Sequence, residues 1–217
     1  MIEKRTIEKS FEDKNREKII LMFLEVNSKE IYEFNEISGY LINKNMSKRA
    51  DHHLKRLVKD GMLEKTERGS YTLNEIAIQP LRNYYNKIVP ICLIGGLGIP
   101  TLFNDILAAF EEISILPRKY VLFTSPDYHE EFRKLDKGKY EEVETLVREF
   151  DYQKVLRENY ELIYEELEKI LKEEIKNYEI VCEITGGAKP VSIALLNLST
   201  EYNLRRCYFS GRKIIWI

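Results

Sequence analysis

The run Tyr178-Glu-Ile-Val-Cys-Glu-Ile-Thr185 is β-rich and apolar, and it breaks at Gly186-Gly187. Ala188-Lys189-Pro-Val-Ser192 then opens an apolar segment of helical period. A strand that turns on glycine straight into a helix is the joint of an alternating α/β chain. It leaves unpaired backbone N–H groups pointing outward, with the positive end of a helix dipole behind them. Gly186 and Gly187 allow close backbone approach, Thr185 and Ser192 carry hydroxyls, and Lys189 is a mobile cation. Together these suit a phosphate-bearing ligand. An ordinary strand-to-helix turn, in which the glycines merely permit the bend, stays open as the alternative; the convergence of Thr, Gly-Gly and Lys at one joint favours the ligand.

Further strand and helix patterns surround it. Val89 to Ile94 is short and wholly apolar, as in a parallel strand buried on both faces. It runs into Gly95-Gly96-Leu97-Gly98 and a helical pattern from Thr101 to Phe110. Lys119 to Ser125 is a second apolar run, ending at Pro126-Asp127. A Glu/Lys-rich helix is predicted from Asn159 to Asn177, and two short strands, Arg206–Phe209 and Lys213–Ile217, flank Ser210-Gly211-Arg212. The pattern predicts a doubly wound sheet, whose ligands sit beyond the carboxyl ends of the strands. Three loops, 95–101, 124–129 and 185–189, are expected on that rim.

The first part of the chain has another pattern. Arg16 to Val26 is a short amphipathic helix, capping at Asn27 or Ser28 is expected next, and Ile31, Phe34, Ile37, Leu41 and Ile42 continue at helical spacing. Ser47 is a suitable N-cap for a third helix, with Ala50, Leu54, Leu57 and Val58 as its stripe and Gly61 as its stop. Met62 to Leu73 alternates around Arg68-Gly69-Ser70 like a β-hairpin. Asn74 to Ile88 returns to helical period, interrupted by Pro80. Charge divides at the same place. Up to Ile88 there are 17 Lys+Arg against 14 Asp+Glu, a net of +3; beyond it, 17 against 22 give −5. Two domains with different partners are expected, 1–88 and 89–217.

The order of three helices and a hairpin, with the basic third helix Ser47-Lys-Arg-Ala-Asp-His-His-Leu-Lys-Arg-Leu-Val-Lys-Asp-Gly61, resembles winged helix-turn-helix domains, most of all the ArsR-type repressors. The resemblance implies a recognition helix in the major groove of double-stranded DNA and a wing on the backbone or minor groove. Ser47, Lys48, His52 and Lys55 are the implied helix contacts, and Arg68, at the hairpin tip, the wing's phosphate contact. Asp51 departs from the small polar residue usual in the repressors and would repel phosphate. Eight basic against four acidic residues from Lys44 to Arg68 is a modest excess. A dimerisation or spacer module stays open as the alternative.

In the second half, Glu183-Ile-Thr185-Gly186-Gly187-Ala188-Lys189, paired with the glycine-rich 95–98 segment and Thr124-Ser125, resembles the CARF domains of CRISPR-associated proteins. These are Rossmann-like modules that dimerise and bind cyclic oligoadenylate across the two-fold axis. By that resemblance Thr185, Gly186, Gly187 and Lys189 meet phosphate or sugar, Gly95, Gly96, Gly98 and Thr101 form the facing wall, and Thr124 and Ser125 lie beside them. The whole chain is similar to archaeal regulators that pair a CARF domain with a winged helix, with the domain order reversed. The implied function is a homodimeric, ligand-responsive transcriptional regulator in CRISPR defence. The alternative is a ring nuclease, with the winged helix as a dimerisation module. There a ribose 2′-hydroxyl attacks the adjacent phosphate, and Lys189, Thr185 and Ser192 are the candidate catalytic residues.

Other classes fit less well. Gly96-x-Gly98-x-x-Thr101 misses the dinucleotide fingerprint, and no acidic residue ends the second strand. Adjacent His52 and His53 point about 100° apart on a helix and cannot chelate one metal, and with only His129 elsewhere no metal is expected; no cofactor is expected either. The three cysteines read as buried free thiols. No apolar stretch approaches the roughly 20 residues that span a bilayer, so no membrane partner is expected. Met1-Ile-Glu-Lys-Arg-Thr lacks a signal-peptide core, which makes the cytoplasm the expected address.

Overall fold

A computed structural model describes residues 2–25, 30–46, 49–150 and 160–217. The chain separates into two compact units, Met1–Lys87 and Ile88–Ile217.

The first unit contains α1 (Lys4–Phe11), α2 (Lys14–Leu24), β1 (Ile31–Tyr32), α3 (Phe34–Asn43), α4 (Ala50–Lys59), β2 (Leu63–Lys65), β3 (Tyr71–Leu73) and α5 (Glu75–Tyr84). Its helices bury one stripe each. Ile19, Ile20 and Phe23 of α2, Ile37 and Leu41 of α3, and Leu54 and Leu57 of α4 meet in one core with Ile7, Leu63 and Leu81. Full burial of each such side chain stabilises the fold by about 1.5–3 kcal/mol. Polar side chains start several helices. The Asp13 carboxylate accepts from Asn15 N, and the Asn74 side chain accepts from Ile76 N.

Gly61 ends α4 as expected, and its φ of +74° explains the residue type. Its N–H donates to the Val58 carbonyl, and the Met62 N–H reaches back to Leu57. The chain then forms the β2–β3 hairpin, and β1 pairs antiparallel with β3, so the small sheet has the order β1-β3-β2.

Four expectations for this unit need correction or placing. Ile31 lies in β1, not in the helix, because its segment has an exposed strand edge of β3 to pair with. The helix that follows begins at Phe34, where Glu33 N–H donates to Glu36 Oε2 at 2.9 Å. The helix bearing His52 begins at Ala50 with Arg49 as its N-cap; Ser47, Lys48 and the caps at Asn27 or Ser28 lie outside the described residues. Pro80 does not interrupt α5. It removes one backbone donor, at a cost of about 3 kcal/mol, while Ala77, Ile78 and Leu81 around it are buried.

The second unit is a mixed α/β domain on a six-stranded sheet. Its strands are β4 (Ile91–Gly96), β5 (Lys119–Thr124), β6 (Glu144–Glu149), β7 (Glu179–Glu183), β8 (Arg205–Ser210) and β9 (Lys213–Trp216). Its helices are α6 (Leu102–Glu112), α7 (Pro126–Arg133), α8 (Tyr160–Glu174) and α9 (Lys189–Glu201), with a 3-10 turn at Gly138–Tyr140. The order is β6-β5-β4-β7-β8-β9, parallel throughout except β8 with β9.

Alternation along the strands covers both faces. Leu93, Tyr120, Leu122, Val181 and Cys207 pack with Phe103, Ile106 and Phe110 of α6. Ile94, Val121, Ile180 and Cys182 have the opposite parity and are also fully buried, while α9 packs on β4, β7 and β8 and against α8. The edge strand β6 and helix α7 carry no strong apolar period, so the sequence pattern does not predict them. At the amino end of β5, Lys119 joins Glu144 and Glu174, each at 2.9 Å. From β4 the chain winds one way to β5 and β6, then returns to β7 on the other side. The order therefore reverses between β4 and β7, and the crevice beyond their carboxyl ends is where doubly wound sheets hold ligands.

Candidate functional site

Two residues expected in a loop at that crevice belong to the sheet. Gly95 and Gly96 are the last residues of β4, paired with Glu183 of β7 and Phe123 of β5. Both are buried, and each faces a neighbour that leaves no room for a side chain. A Cβ on Gly95 would stand 3.0 Å from Glu183 Oε2. A Cβ on Gly96 would stand 3.1 Å from the Gly187 Cα. From the other side, a Cβ on Gly186 would lie 2.6 Å from the Gly96 carbonyl oxygen. These glycines let two backbones meet, so they build the crevice without lining it. Gly98 has nothing within 4 Å and is the one of the four with open space around it.

The turn from Thr185 to Lys189 is tied down by its own side chains. The Thr185 N–H donates to Glu183 Oε1 at 2.7 Å, and the Thr185 hydroxyl oxygen accepts from the Phe209 N–H of β8. The Ser192 hydroxyl donates to the Gly186 carbonyl at 3.3 Å. Gly187, at φ +78°, carries the chain into α9. Beyond these bonds, the backbone N–H groups of Gly186, Gly187, Ala188 and Lys189 have no acceptor among the described residues. The Lys189 side chain is exposed, with no carboxylate partner among them. Four consecutive free donors and one free ammonium at the start of a 13-residue helix form a concentrated anion-attracting surface.

The remaining predicted ligand residues separate. The ends of β4, β5 and β7 are adjacent, so Gly98, Ser125 and the Thr185–Lys189 turn share one rim. Thr101 is exposed at the N-cap of α6, and its side chain makes no cap bond. Ser125 is the N-cap of α7, likewise without a side-chain cap bond. Thr124 is fully buried, and its Oγ1 has no hydrogen-bond partner among the described residues. A separate cavity of about 410 Å³, lined by Phe123, His129, Arg148 and Glu149, contains none of the glycine turn.

Glu183, part of the Glu183–Lys189 motif, carries no role predicted from the sequence. It is a fully buried carboxyl at the end of β7, and burial raises its pKa above the ordinary 4.5. The hydroxyl and N–H of Thr185 and the hydroxyl of Tyr120 act the other way, favouring the charged form. Tyr120 faces it without hydrogen-bond geometry, and neither Tyr120 OH nor Glu183 Oε2 has a hydrogen-bond partner among the described residues. A lone acidic residue closing a strand buried on both faces was the signal available in the sequence.

Cys92, Cys182 and Cys207 are free and buried. Burial raises all three thiols, Cys182 to about 12. No group of three His, Cys, Asp or Glu side chains able to hold a metal occurs among the described residues, and no helix there is long and apolar enough to cross a membrane.

In the first unit, His52 and Lys55 of α4 and Arg68 of the hairpin tip are exposed. Asp51 is exposed beside them. His53 is buried instead, with Nδ1 3.3 Å from Asp13 Oδ2 but not aligned for a hydrogen bond.

No family model matches the chain, and no curated protein is significantly similar to it. Several solved structures match part of the chain. Can2 from Sulfobacillus thermosulfidooxidans, in complex with cyclic tetra-adenylate, gives a TM-score of 0.44 at 14% identity, over 58% of this chain and 34% of its own. Csm6 from Enterococcus italicus, bound to cyclic hexa-2′-fluoro-hexa-dAMP, gives 0.42 at 17% identity, over 59% and 34%. Protein VC1899 from Vibrio cholerae gives 0.45 at 13% identity, over 58% and 33%. This chain spans about a third of the length of each.

Proposed function

We propose that the second unit is a CARF-like domain that binds a cyclic oligoadenylate as a homodimer, and that the first unit is a winged helix responding to that ligand on DNA. The observation that carries the ligand half is the row of free N–H groups from Gly186 to Lys189, with the unpaired Lys189 ammonium, beside the reversal of strand order. A phosphodiester offers acceptors for such donors, and charge-assisted hydrogen bonds of this kind are among the stronger ones. A two-fold pair of these turns would present its donors symmetrically, which matches a ring of repeating charge.

The DNA half rests on the order of α2, α3, α4 and the β2–β3 hairpin, with the three-stranded sheet β1-β3-β2, and on the exposure of Lys55 and Arg68. Regulation requires that the ligand bind two dimer arrangements unequally. A second reading, ring opening of the bound ligand, is favoured by the same free Lys189. A ribose 2′-hydroxyl loses its proton and attacks the adjacent phosphorus, a 2′,3′-cyclic phosphate forms, and the bond to the 5′-oxygen of the next nucleotide breaks. That oxygen takes up a proton, while the Lys189 ammonium neutralises the charge built up on the phosphate. In that reading the Thr185 and Ser192 hydroxyls hold the turn, since each already makes a bond within the protein.

Isothermal titration calorimetry with cyclic tri-, tetra- and hexa-adenylate, with NAD as control, tests the reading. One ring bound per dimer is expected, with no NAD binding; no heat with any ring overturns it. Chromatography of the recovered ligand separates the regulator, which returns an intact ring, from the nuclease, which returns linear product. Equal operator affinity with and without saturating ligand would remove the regulatory half.

A further inference from the structure

The Thr185–Lys189 turn is held from behind by an acid. Glu183 Oε1 takes the Thr185 N–H at 2.7 Å, so the first donor of the turn is already spent on a group within the protein. The other oxygen, Oε2, is buried without a hydrogen-bond partner among the described residues and lies against Gly95, where a Cβ would stand 3.0 Å from it. The groups facing this carboxyl are the hydroxyl of Tyr120 on β5, the thiol of Cys207 on β8 and the hydroxyl of Thr185; Gly95 of β4 carries no side chain. Phe103 and the other α6 residues of this core are apolar. None of these groups is a cation. An ionised Glu183 would therefore be compensated only by neutral dipoles, and any anion on the turn would be its nearest like charge.

We propose that Glu183 is the positioning residue of the anion-binding turn, and that an anion binds there with Glu183 in its neutral acid form. This rests on reading Thr185–Lys189 as an anion site, and it adds what controls that site. Glu183, fully buried at the end of β7, is bonded to the first N–H of the turn, so its charge and that of an anion held by the turn disfavour each other. Burial alone already favours the neutral form of the carboxyl. Binding then takes up a proton across the pH window between the pKa of Glu183 in the free protein and its higher value in the complex. Over that window affinity falls by about tenfold per pH unit as pH rises. Neutral Glu183 still accepts the Thr185 N–H through its carbonyl oxygen, so the turn keeps its path while the repulsion is gone.

The test uses the full chain labelled with carbon-13 and nitrogen-15, and two probes whose own charge is constant across the range: sulfate and cyclic tetra-adenylate. The amides of Gly186, Gly187 and Lys189 report binding. The Glu183 carboxyl carbon, assigned through its bonds to its own amide, reports protonation in the unmutated protein. The expected result is that bound probe moves the Glu183 titration to higher pH. Glu183→Gln is expected to bind as the unmutated protein does at low pH, with a flat pH profile, and Glu183→Ala to bind weakly at every pH. The inference is overturned if the carboxyl titrates identically with and without bound probe, or if Glu183→Gln keeps the pH dependence. Coupling seen with sulfate but no binding of cyclic tetra-adenylate would leave the inference standing and count against that ligand. Amides that respond to neither probe would overturn it. Should Glu183→Gln fail to fold, the carboxyl titration of the unmutated protein decides alone.

Discussion

Gly187 and Gly96 stand back to back: a Cβ on Gly187 would fall 2.8 Å from the Gly96 Cα, closer than real side chains approach backbone. Strand β4 and the turn before α9 can touch only because both positions lack a side chain. The contact closes the bottom of the crevice and sets where the free N–H groups of the turn stand. Backbone packing thus accounts for glycines that a ligand argument alone would have claimed.

Gly187→Ala should therefore destabilise the second unit even without ligand. Overpacking of this kind costs about 1–3 kcal/mol, and an alanine at φ +78° adds about 1–2 kcal/mol of backbone strain. Gly98→Ala, with open space around it, should change stability by less than about 0.5 kcal/mol. Urea midpoints of the two variants check the contrast. Equal midpoints would mean the close approach at Gly96 is not what holds these glycines.

Lys189→Ala separates binding from folding. The side chain is exposed, with no carboxylate partner among the described residues, so its loss should leave the thermal midpoint unchanged. A hydrogen bond to a charged group contributes about 1.5–3 kcal/mol, so affinity for a cyclic adenylate should fall by roughly tenfold or more. Calorimetry on the variant reads this directly, and unchanged affinity would remove Lys189 from the site.

Much of this was legible because apolar period and glycine placement are local signals. The apolar runs at 89–94 and 119–125, the helix stop at Gly61 and the Thr185-Gly186-Gly187 joint could each be read from a few neighbouring residues. Other features depend on distant partners. That Ile31 forms a strand depends on β3, some 40 residues on, offering an edge at Tyr71 and Thr72. That the Thr185 hydroxyl turns to Phe209, and that Glu183 is buried against Gly95, follows from strand order, which no single segment encodes. Strand β6 lacked a signal because an edge strand buries little and can carry Glu144, Arg148 and Glu149.

The first unit should weaken in acid through His53. Burial lowers the pKa of this imidazole below its ordinary 6.5, with the nearby His52 and Arg16 pressing the same way and Asp13 and Asp51 opposing. A base with a depressed folded-state pKa binds fewer protons folded than unfolded. Its contribution is therefore complete above about pH 6.5 and is lost as pH falls through the folded value. Urea midpoints between pH 5 and 8 should drop on the acid side, and His53→Gln should flatten that drop. A variant with the same acid loss would assign it elsewhere.

Lys55 decides whether α4 faces DNA. Its ammonium is exposed on the same helix as His52, opposite the Leu54–Leu57 stripe, and has no ion-pair partner among the described residues. Each phosphate neutralised by a cation releases about 0.9 counterion, which sets the slope of log affinity against log salt. Lys55→Ala should therefore weaken binding to all sequences alike and lower that slope by about 1. Arg68→Ala should do the same from the hairpin tip. Because the two positions lie on different elements, their effects should add. Fluorescence anisotropy with a labelled duplex at four salt concentrations measures both slopes. If both variants keep the parent slope, neither α4 nor the hairpin tip meets phosphate through these cations.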